Sequence, residues 1–246
     1  MIMKEMIIVK TVNNNPNILF SDYDGTMSPL NLKANINAIK SFINNGNFFV
    51  ISTARSRASI LKKTKKYNIP FDYIACSNGS EIINSNGEVI SAYEMNRSEL
   101  TFIHNQFLVN NPHVSDIVFI NKNGNMFGRG IIPNNAILIR CICPLYYDLR
   151  NLIDEIPGYT CQRYGATYEI KPAYIDKSYA ATELVRYLKK SNGFEKLTEY
   201  SVGNTMNDYQ LLKNHNGYVI NYGSPILKKK IKARTASVSS LIDNIK

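Results

Sequence analysis

The sequence contains no tryptophan, only three histidines and only four cysteines among its 246 residues. Three scattered histidines are too few for a histidine-rich metal centre, and no paired Cys-x-x-Cys spacing is present to hold zinc. There is no apolar run of about 18 residues, so we expect no transmembrane helix. The apolar patch at the start of the chain is too short for the core of a signal peptide, and we therefore expect a cytoplasmic protein.

The four cysteines are expected to be reduced thiols, because cytoplasmic proteins rarely keep disulfides. They are Cys76, Cys141, Cys143 and Cys161. Cys141 and Cys143 lie two residues apart in a strand-like run, so their side chains share one face. This favours small apolar core residues over zinc ligands or a redox pair.

Charge is the unusual bulk property, since 29 lysines and arginines outnumber 19 acidic residues and give a net charge of +10. Such a surface favours anionic partners, which include phosphorylated metabolites, nucleic acids and acidic lipids. The basic residues are scattered apart from two runs at 62–66 and 228–232. We interpret both runs as solvated helix faces and expect no specific nucleic-acid site.

Strands and helices alternate in the first third of the chain. The predicted strands are 17–21, 47–53 and 73–77, and the predicted helices are 32–43 and 57–67. This order is typical of a parallel sheet wound in the Rossmann manner. The composition, with 44% hydrophobic residues, is that of an ordinary globular protein with a sizeable core.

The pattern changes after Ser80, where turn signals indicate hairpins at Asn86–Gly87, Asn123–Gly124 and Tyr164–Gly165. Helices are predicted near 97–109 and 145–156. From residue 176 the alternation returns, with predicted elements at 177–190, 199–203, 206–213 and 218–221 and one last helix. We therefore predict an α/β fold: a Rossmann-like, doubly wound parallel-sheet core of residues 1–82 and 171–246, with residues 83–170 inserted as an α+β cap.

The strongest local signal is Asp22-Tyr23-Asp24-Gly25-Thr26, directly after the first predicted strand. Ligands of open α/β sheets bind at the carboxyl ends of the strands. Two carboxylates two residues apart repel each other unless a cation or a proton lies between them. The motif therefore indicates a site that binds a cation or another ligand, rather than a turn with solvated acids.

Further segments extend this motif into a pattern. They are Thr53-Ala54-Arg55, Asn78-Gly79-Ser80, Lys177 and Gly203-Asn204-Thr205-Met206-Asn207-Asp208. In this order they resemble the motifs of the haloacid dehalogenase (HAD) superfamily of phosphatases. The Asn78 turn resembles that of the Cof-like and sucrose-phosphatase-like subgroup, which carries a large α/β cap at this point. The resemblance spans residues of about 18–225.

The resemblance implies a role for each matching residue. Asp22 would be the nucleophile that forms an aspartyl-phosphate, and Asp24 the general acid and then the base. Thr53 would bind a phosphoryl oxygen, and Lys177 would hold the carboxylate and neutralise charge. Secondary roles, in contacting the phosphate or in positioning loops, would fall to Arg55, Asn78 and Gly79.

The resemblance also implies a Mg²⁺ site. Its predicted ligands are Asp22, the backbone carbonyl of Asp24, and the segment that contains Asn204, Asn207 and Asp208. The sequence departs from the family at Asn204, where the family has an acid, and we expect weaker metal affinity with compensation by Asp208 and Asn207. A second departure is Ala54 in place of glycine.

The resemblance favours a Mg²⁺-dependent phosphatase of small phosphorylated metabolites, with sugar phosphates as the first substrate class. The alternatives are a phosphotransferase or mutase, and a weakly active or non-catalytic protein that binds phosphorylated macromolecules. The cap would select the substrate, with candidates at Arg129, Arg163, Tyr164 and Tyr168, although surface or sheet packing explains each of them better. We expect a small phosphorylated substrate as partner and a monomer or homodimer.

Overall fold

The structure is a computed structural model that describes residues 15–128 and 130–245. The start of the chain and Arg129, on which two of the expectations above fall, lie outside the described residues. The chain divides into two compact units. Of the described residues, the first unit comprises those up to Gly79, Ile83–Glu88 and those from Lys177 onward, and the second comprises Ser80–Ile82 and those between Val89 and Asp176.

The strands, in chain order, are β1 (Asn17–Asp22), β2 (Phe48–Ser52), β3 (Tyr73–Cys76), β4 (Glu81–Asn84), β5 (Val89–Ala92), β6 (Met95–Asn96), β7 (Asp116–Ile120), β8 (Met126–Phe127), β9 (Asn135–Ala136), β10 (Leu138–Ile142), β11 (Tyr159–Tyr164), β12 (Thr167–Pro172), β13 (Thr198–Gly203), β14 (Gly217–Ile220) and β15 (Arg234–Thr235). The helices are α1 (Leu32–Asn44), α2 (Arg57–Tyr67), α3 (Arg97–Ile103), α4 (Arg150–Ile153), α5 (Lys177–Asn192), α6 (Tyr209–Asn214), α7 (Pro225–Lys230) and α8 (Val238–Asn244). Short turns of other helical types lie at Ser77–Gly79, His104–Leu108 and Met206–Asp208.

The first unit is built on a parallel sheet in which the strands follow the order β15-β14-β13-β1-β2-β3. Ile18, Leu19 and Phe20 of β1 are all fully buried, as expected for a central strand covered on both faces. The strand order reverses between β1 and β13, which is where open α/β sheets bind their ligands. This confirms the doubly wound parallel core.

The register brings three strand ends to one edge of this sheet. Asp22 at the end of β1 pairs with Ser52 at the end of β2, and Ser21 pairs with Val202 of β13. The motif residues that follow these strands therefore start from the same edge.

The second unit contains a five-stranded sheet in the order β11-β12-β10-β7-β8, in which every neighbouring pair is antiparallel. Phe119, Ile139 and Tyr168 are fully buried in its core. Cys141 and Cys143 are buried there too, and all four cysteines are buried and free. The predicted α+β insertion with an antiparallel sheet is thus observed.

Three predicted helices differ from the structure. The helix expected at 145–156 is reduced to α4, because Leu145 and Tyr146 are exposed and Asp148 accepts the backbone N–H of Arg150 at the start of the turn. The helix expected at 97–109 ends at Ile103 and continues as a π-helical turn. The single last helix is instead α7, β15 and α8. In the part of the chain that the structure describes, none of the helices is long and apolar enough to cross a membrane.

Candidate active site at the carboxyl edge of the parallel sheet

A lysine bridges two buried carboxylates at this edge of the sheet. The Lys177 ammonium, at the first residue of α5, donates to Asp22 Oδ1 at 2.7 Å and to Asp208 Oδ1 at 2.6 Å. The exposed fractions are 3% for Lys177, 6% for Asp22 and 0% for Asp208. Residues separated by 155 and 31 positions along the chain therefore meet at one buried point.

The charges of this cluster shift the pKa values of its members. Burial is the largest influence on Asp22 and raises its pKa, Lys177 lowers it and Asp208 raises it again, which leaves a pKa of about 6. Burial lowers the pKa of Lys177, but the two carboxylates raise it, and the net result is a raised pKa. The ammonium therefore stays charged, and with both acids ionised the cluster carries one net negative charge, which favours the binding of a cation.

The turn after β1 is shaped by hydrogen bonds and by glycine. The Thr26 hydroxyl donates to Asp22 Oδ2 at 2.9 Å, so both Asp22 oxygens have partners. Gly25 has a φ of +74°, and its N–H donates to Ser28 O at 2.8 Å. A Cβ at Gly25 would lie 2.2 Å from Asn204 Nδ2, which shows that the Asn204 side chain packs directly against this turn.

Asp208 organises the segment that follows β13. Its Oδ2 accepts the backbone N–H groups of Asn204 and Thr205, both at 3.0 Å, while its Oδ1 accepts from Lys177. A Cβ at Gly203 would lie 2.6 Å from Asp208 Cγ, so this close approach requires glycine. Both Asp208 oxygens thus position the turn and the lysine, and direct metal ligation by Asp208 stays a prediction.

Thr53 and Asn78 belong to a second set of contacts at the same edge. The Thr53 hydroxyl oxygen accepts the N–H of Arg55 at 3.1 Å, which leaves its hydrogen available for another acceptor. Asn78 donates its N–H to Thr53 O at 3.0 Å, and its side-chain oxygen accepts from Asn207 Nδ2 at 2.8 Å. Asn78 and Gly79 both have positive φ angles, so this turn is held in an uncommon conformation that directs Asn78 toward Asn207.

Asp24 is paired with Arg55. Arg55 Nε donates to Asp24 Oδ2 and Nη2 to Oδ1, both at 2.7 Å, and the guanidinium lies 5.7 Å from the ring centroid of Tyr23. The hydrogen bonds to Asp24 are the main cause of a raised pKa of Arg55. The Asp24 side chain is 54% exposed, so the predicted proton donor lies at the rim of the buried cluster.

The donor atoms at this edge suit Mg²⁺. Among residues 15–128 and 130–245, no three histidine, cysteine or acidic side chains are grouped so as to hold a metal. The oxygens present are the Asp22 carboxylate, the Asn204 amide packed on Gly25, and backbone carbonyls of the turn. These are hard oxygen ligands of the kind that Mg²⁺ prefers, with water in the open positions. The residues therefore fit Mg²⁺, with one carboxylate fewer than the family pattern.

The structure brings together the predicted residues Asp22, Lys177, Asn204 and Asp208, and links Asn207 to Asn78 and Arg55 to Asp24. It also shows contacts that the sequence analysis missed. Thr26 donates a hydrogen bond to Asp22, and the buried His215 contacts Ser178 and Glu199. Thr26 lies within the Asp22–Thr26 motif, although no role was predicted for its hydroxyl. The contacts of His215 join residues with no characteristic spacing, so no motif could have revealed them.

Comparisons with known proteins agree with this geometry. Residues 19–132 match the family model of haloacid dehalogenase-like hydrolases. No curated protein sequence matches the chain. Solved structures match it closely in fold but share little sequence.

Three of these structures illustrate the likeness. A HAD/Cof-like hydrolase of Plasmodium vivax is 17% identical, with 94% of this chain and 95% of that chain covered and a TM-score of 0.66. A phosphatase of the HAD superfamily from Bacteroides thetaiotaomicron is 17% identical, with 98% of each chain covered and a TM-score of 0.68. A HAD subclass IIB sugar phosphatase is 17% identical, with 93% and 97% covered and a TM-score of 0.65. Residues 19–132 are therefore similar in sequence to the haloacid dehalogenase-like hydrolases, and the chain shares the fold of the solved structures of this kind.

Proposed function

We propose that the chain hydrolyses phosphate monoesters of small metabolites with the help of Mg²⁺, through a phosphoryl group carried on Asp22. The observation that carries this proposal is the buried Lys177 ammonium between Asp22 and Asp208. A fixed positive charge beside a buried carboxylate offsets the repulsion that an anionic nucleophile meets as it approaches a phosphoryl group.

In the first step an Asp22 oxygen attacks phosphorus, and the bond between phosphorus and the ester oxygen breaks. Asp24 donates its proton to the leaving alkoxide, so the alcohol departs neutral and Asp24 becomes a carboxylate. Lys177 and the Thr53 hydroxyl donate to the phosphoryl oxygens. Such proton transfer contributes typically about 10²–10⁴-fold to rate.

In the second step water attacks the phosphoryl group on Asp22. The Asp24 carboxylate takes a proton from that water, the bond between phosphorus and the Asp22 oxygen breaks, and inorganic phosphate leaves. Asp22 returns as a carboxylate and Asp24 as an acid, which completes the cycle. The Arg55 fork contacts the Asp24 carboxylate in the form that acts here as the base.

Bound by Asp22, the Asp24 carbonyl and Asn204, Mg²⁺ would supply positive charge that screens the carboxylate from the phosphoryl oxygens. Asn204 contributes a neutral amide oxygen, and we therefore propose that this chain binds Mg²⁺ more weakly than its acidic counterpart would. The variant Asn204→Asp tests this by calorimetry, with an expected affinity gain of about tenfold. The exposed Asn68→Asp is a matched control for the added charge. An unchanged affinity in Asn204→Asp would remove Asn204 from the metal site.

Sugar phosphates are the substrate class that we propose to test first. The motivation is the fold shared with a subclass IIB sugar phosphatase, together with the net charge of +10, which attracts small anions. The phosphoryl group is recognised by the residues of the first unit, so para-nitrophenyl phosphate serves as a generic substrate beside the sugar-phosphate panel.

The test is phosphate release from these substrates with and without Mg²⁺. We expect turnover that requires Mg²⁺ and that falls by at least about 10³-fold in Asp22→Asn, while the exposed Asp243→Asn on α8 keeps full activity. Absence of turnover on every phosphoester would refute the proposal. An isomerised phosphorylated product would instead indicate a phosphotransferase, and tight binding of a phosphorylated macromolecule without turnover would indicate a binding protein.

A further inference from the structure

A chain of hydrogen bonds lies beside the proposed active site and takes no part in the mechanism above. Asn214 Nδ2 donates to Ser178 Oγ at 3.0 Å, Ser178 Oγ lies 3.3 Å from His215 Nε2, and His215 Nδ1 lies 2.6 Å from Glu199 Oε2. Ser178 and His215 are 5% and 4% exposed. Burial of a polar side chain lowers stability unless the side chain forms hydrogen bonds. Here each side chain is hydrogen-bonded to the next one in the chain of contacts.

The donors and acceptors in this chain pair with one another. His215 Nδ1 pairs with the Glu199 carboxylate, which only accepts, and His215 Nε2 pairs with the Ser178 hydroxyl. The Ser178 oxygen accepts from Asn214. Both ring nitrogens of His215 are thus paired, and the orientation of Ser178 is fixed by partners on two sides.

The order serine, histidine, acid is also that of a nucleophilic triad, which needs a serine that a substrate can reach. Ser178 is buried, and its oxygen already accepts a hydrogen bond from Asn214. Burial of both Ser178 and His215 therefore argues against acyl transfer and for a role inside the protein.

The position of the chain of hydrogen bonds suggests that role. Ser178 directly follows Lys177 in the first turn of α5. Helix α6 has Asp208 immediately before its first residue, and Asn214 and His215 at its other end. One end of α6 thus contacts Lys177 through Asp208, and the other end contacts Ser178. Glu199 connects the same network to β13, the strand that leads to Asn204.

We propose that Ser178, His215 and Glu199 are positioning residues that fix the first turn of α5 and so hold the Lys177 ammonium between Asp22 and Asp208. The catalytic consequence rests on the proposed function, but the positioning itself does not. Lysine has a long flexible side chain, so the place of its ammonium depends on how firmly its backbone is held. A misplacement of about 1 Å in a catalytic constellation can cost about 10²-fold in rate.

The first test measures the accessibility of Lys177 without substrate. The folded protein is treated with an amine-acetylating reagent, and peptide mass spectrometry gives the rate at Lys177 relative to the exposed Lys213. We expect slow labelling in the wild type and at least about tenfold faster labelling in Ser178→Ala and Glu199→Ala. Glu199→Gln keeps an oxygen that accepts from His215 and should label as slowly as the wild type.

The control is Thr235→Val, which removes a buried hydroxyl at the end of β15. This hydroxyl donates to the backbone oxygen of Ser237, directly before α8, and the hydrogen bond does not involve α5. It reports the effect of a general stability loss on labelling. Glu199 is only half-buried, so Glu199→Ala keeps the test valid if Ser178→Ala does not fold. Labelling of Lys177 in Glu199→Ala that stays at the level of Thr235→Val would overturn the proposal.

The second test is kinetic and is made well below the unfolding temperature of each variant. We expect Ser178→Ala and Glu199→Ala to lower kcat about 10²-fold with KM changed less than about threefold, and Glu199→Gln to restore kcat. Faster labelling without any phosphatase activity in the wild type would support the positioning role and refute the proposed function. Unchanged labelling of Lys177 in the variants, with phosphatase activity present in the wild type, would refute the positioning role and support the proposed function.

Discussion

At the scale of single residues, the site buries two carboxylates beside a single ammonium, so one negative charge is left without a counter-ion. Two carboxylates and one ammonium are buried together, and Asp22 is left with a raised pKa as a result. Functional sites commonly store such a cost, which a bound cation or a phosphoryl transfer then relieves. We therefore expect ionised Asp22 to destabilise the metal-free protein.

The first prediction concerns the effect of Asp22 ionisation on stability. Because the pKa of Asp22 in the folded protein is raised to about 6 from 3.8, its ionisation destabilises the fold. The penalty is absent below about pH 4 and complete above about pH 7, where a shift of about two units corresponds to about 3 kcal/mol. Metal-free Asp22→Asn should be more stable than the wild type near pH 7.5, by up to about that amount, and the difference should vanish toward pH 4.

Urea unfolding in the presence of a chelator, at several pH values between about 4 and 8, measures this difference. The exposed Asp243→Asn should show no comparable pH-dependent gain. A variant Asp22→Asn whose loss of stability relative to the wild type grows as the pH rises would contradict the prediction, since the ion pair with Lys177 would then outweigh the cost of burial.

The second prediction concerns the pair of Asp24 and Arg55. The bidentate fork fixes the direction of the carboxylate, and orientation of a proton donor contributes to rate. Arg55→Ala should lower kcat about tenfold, and Asp24→Asn should lower it by about 10²–10⁴-fold. The double variant should be no slower than Asp24→Asn alone, because Arg55 acts through Asp24. Multiplicative losses in steady-state kinetics would show that Arg55 acts independently.

At the scale of elements, the site depends on turns at strand ends. The turn after β1 and the turn after β13 touch through Gly25 and Asn204, and β1 and β13 are neighbours where the strand order reverses. A change in one turn should therefore be felt in the other.

The third prediction uses two glycines with similar backbone angles. Gly25 has a φ of +74° and a Cβ there would meet Asn204, whereas Gly193 has a φ of +67° and open space around it. Both Gly→Ala variants should lose about 1 kcal/mol of stability from backbone strain. Gly25→Ala should lose more and should also weaken Mg²⁺ binding, because its methyl group displaces the Asn204 side chain.

Urea unfolding and calorimetric Mg²⁺ titration of the two variants check this prediction. Equal losses of stability and equal Mg²⁺ affinities would show that Asn204 moves without consequence, and would remove it from the predicted metal site.

At the scale of the whole molecule, the parallel core and its edge were predictable, because buried strands such as β1 and β2 are continuous apolar runs followed by motif residues. The contact of Asp22 with Lys177 was implied only by the resemblance to the haloacid dehalogenase superfamily, because Lys177 begins helix α5 and does not end a strand of the parallel sheet. Two features were not predictable. The length of α4 depends on which of its apolar residues become buried in the core. The contact of Ser178 with His215 depends on the tertiary packing of α5 against the end of α6. Local periodicity carries neither kind of information.

The last prediction follows from the net charge of +10. A basic protein attracts a dianionic substrate over distances that salt screens, with a Debye length of about 10 Å at 0.1 M. We expect kcat/KM for a phosphate monoester to fall several-fold between about 20 mM and 500 mM NaCl. Lys62→Glu combined with Lys65→Glu on the exposed face of α2 lowers the net charge by four and should flatten this dependence, while kcat stays unchanged. The substitutions keep the described hydrogen bonds of Asp22, Lys177 and Asp208, so a fall in kcat would place the α2 lysines in the chemistry itself. A salt dependence that the double variant leaves as steep as before would instead assign the attraction to the charges inside the site.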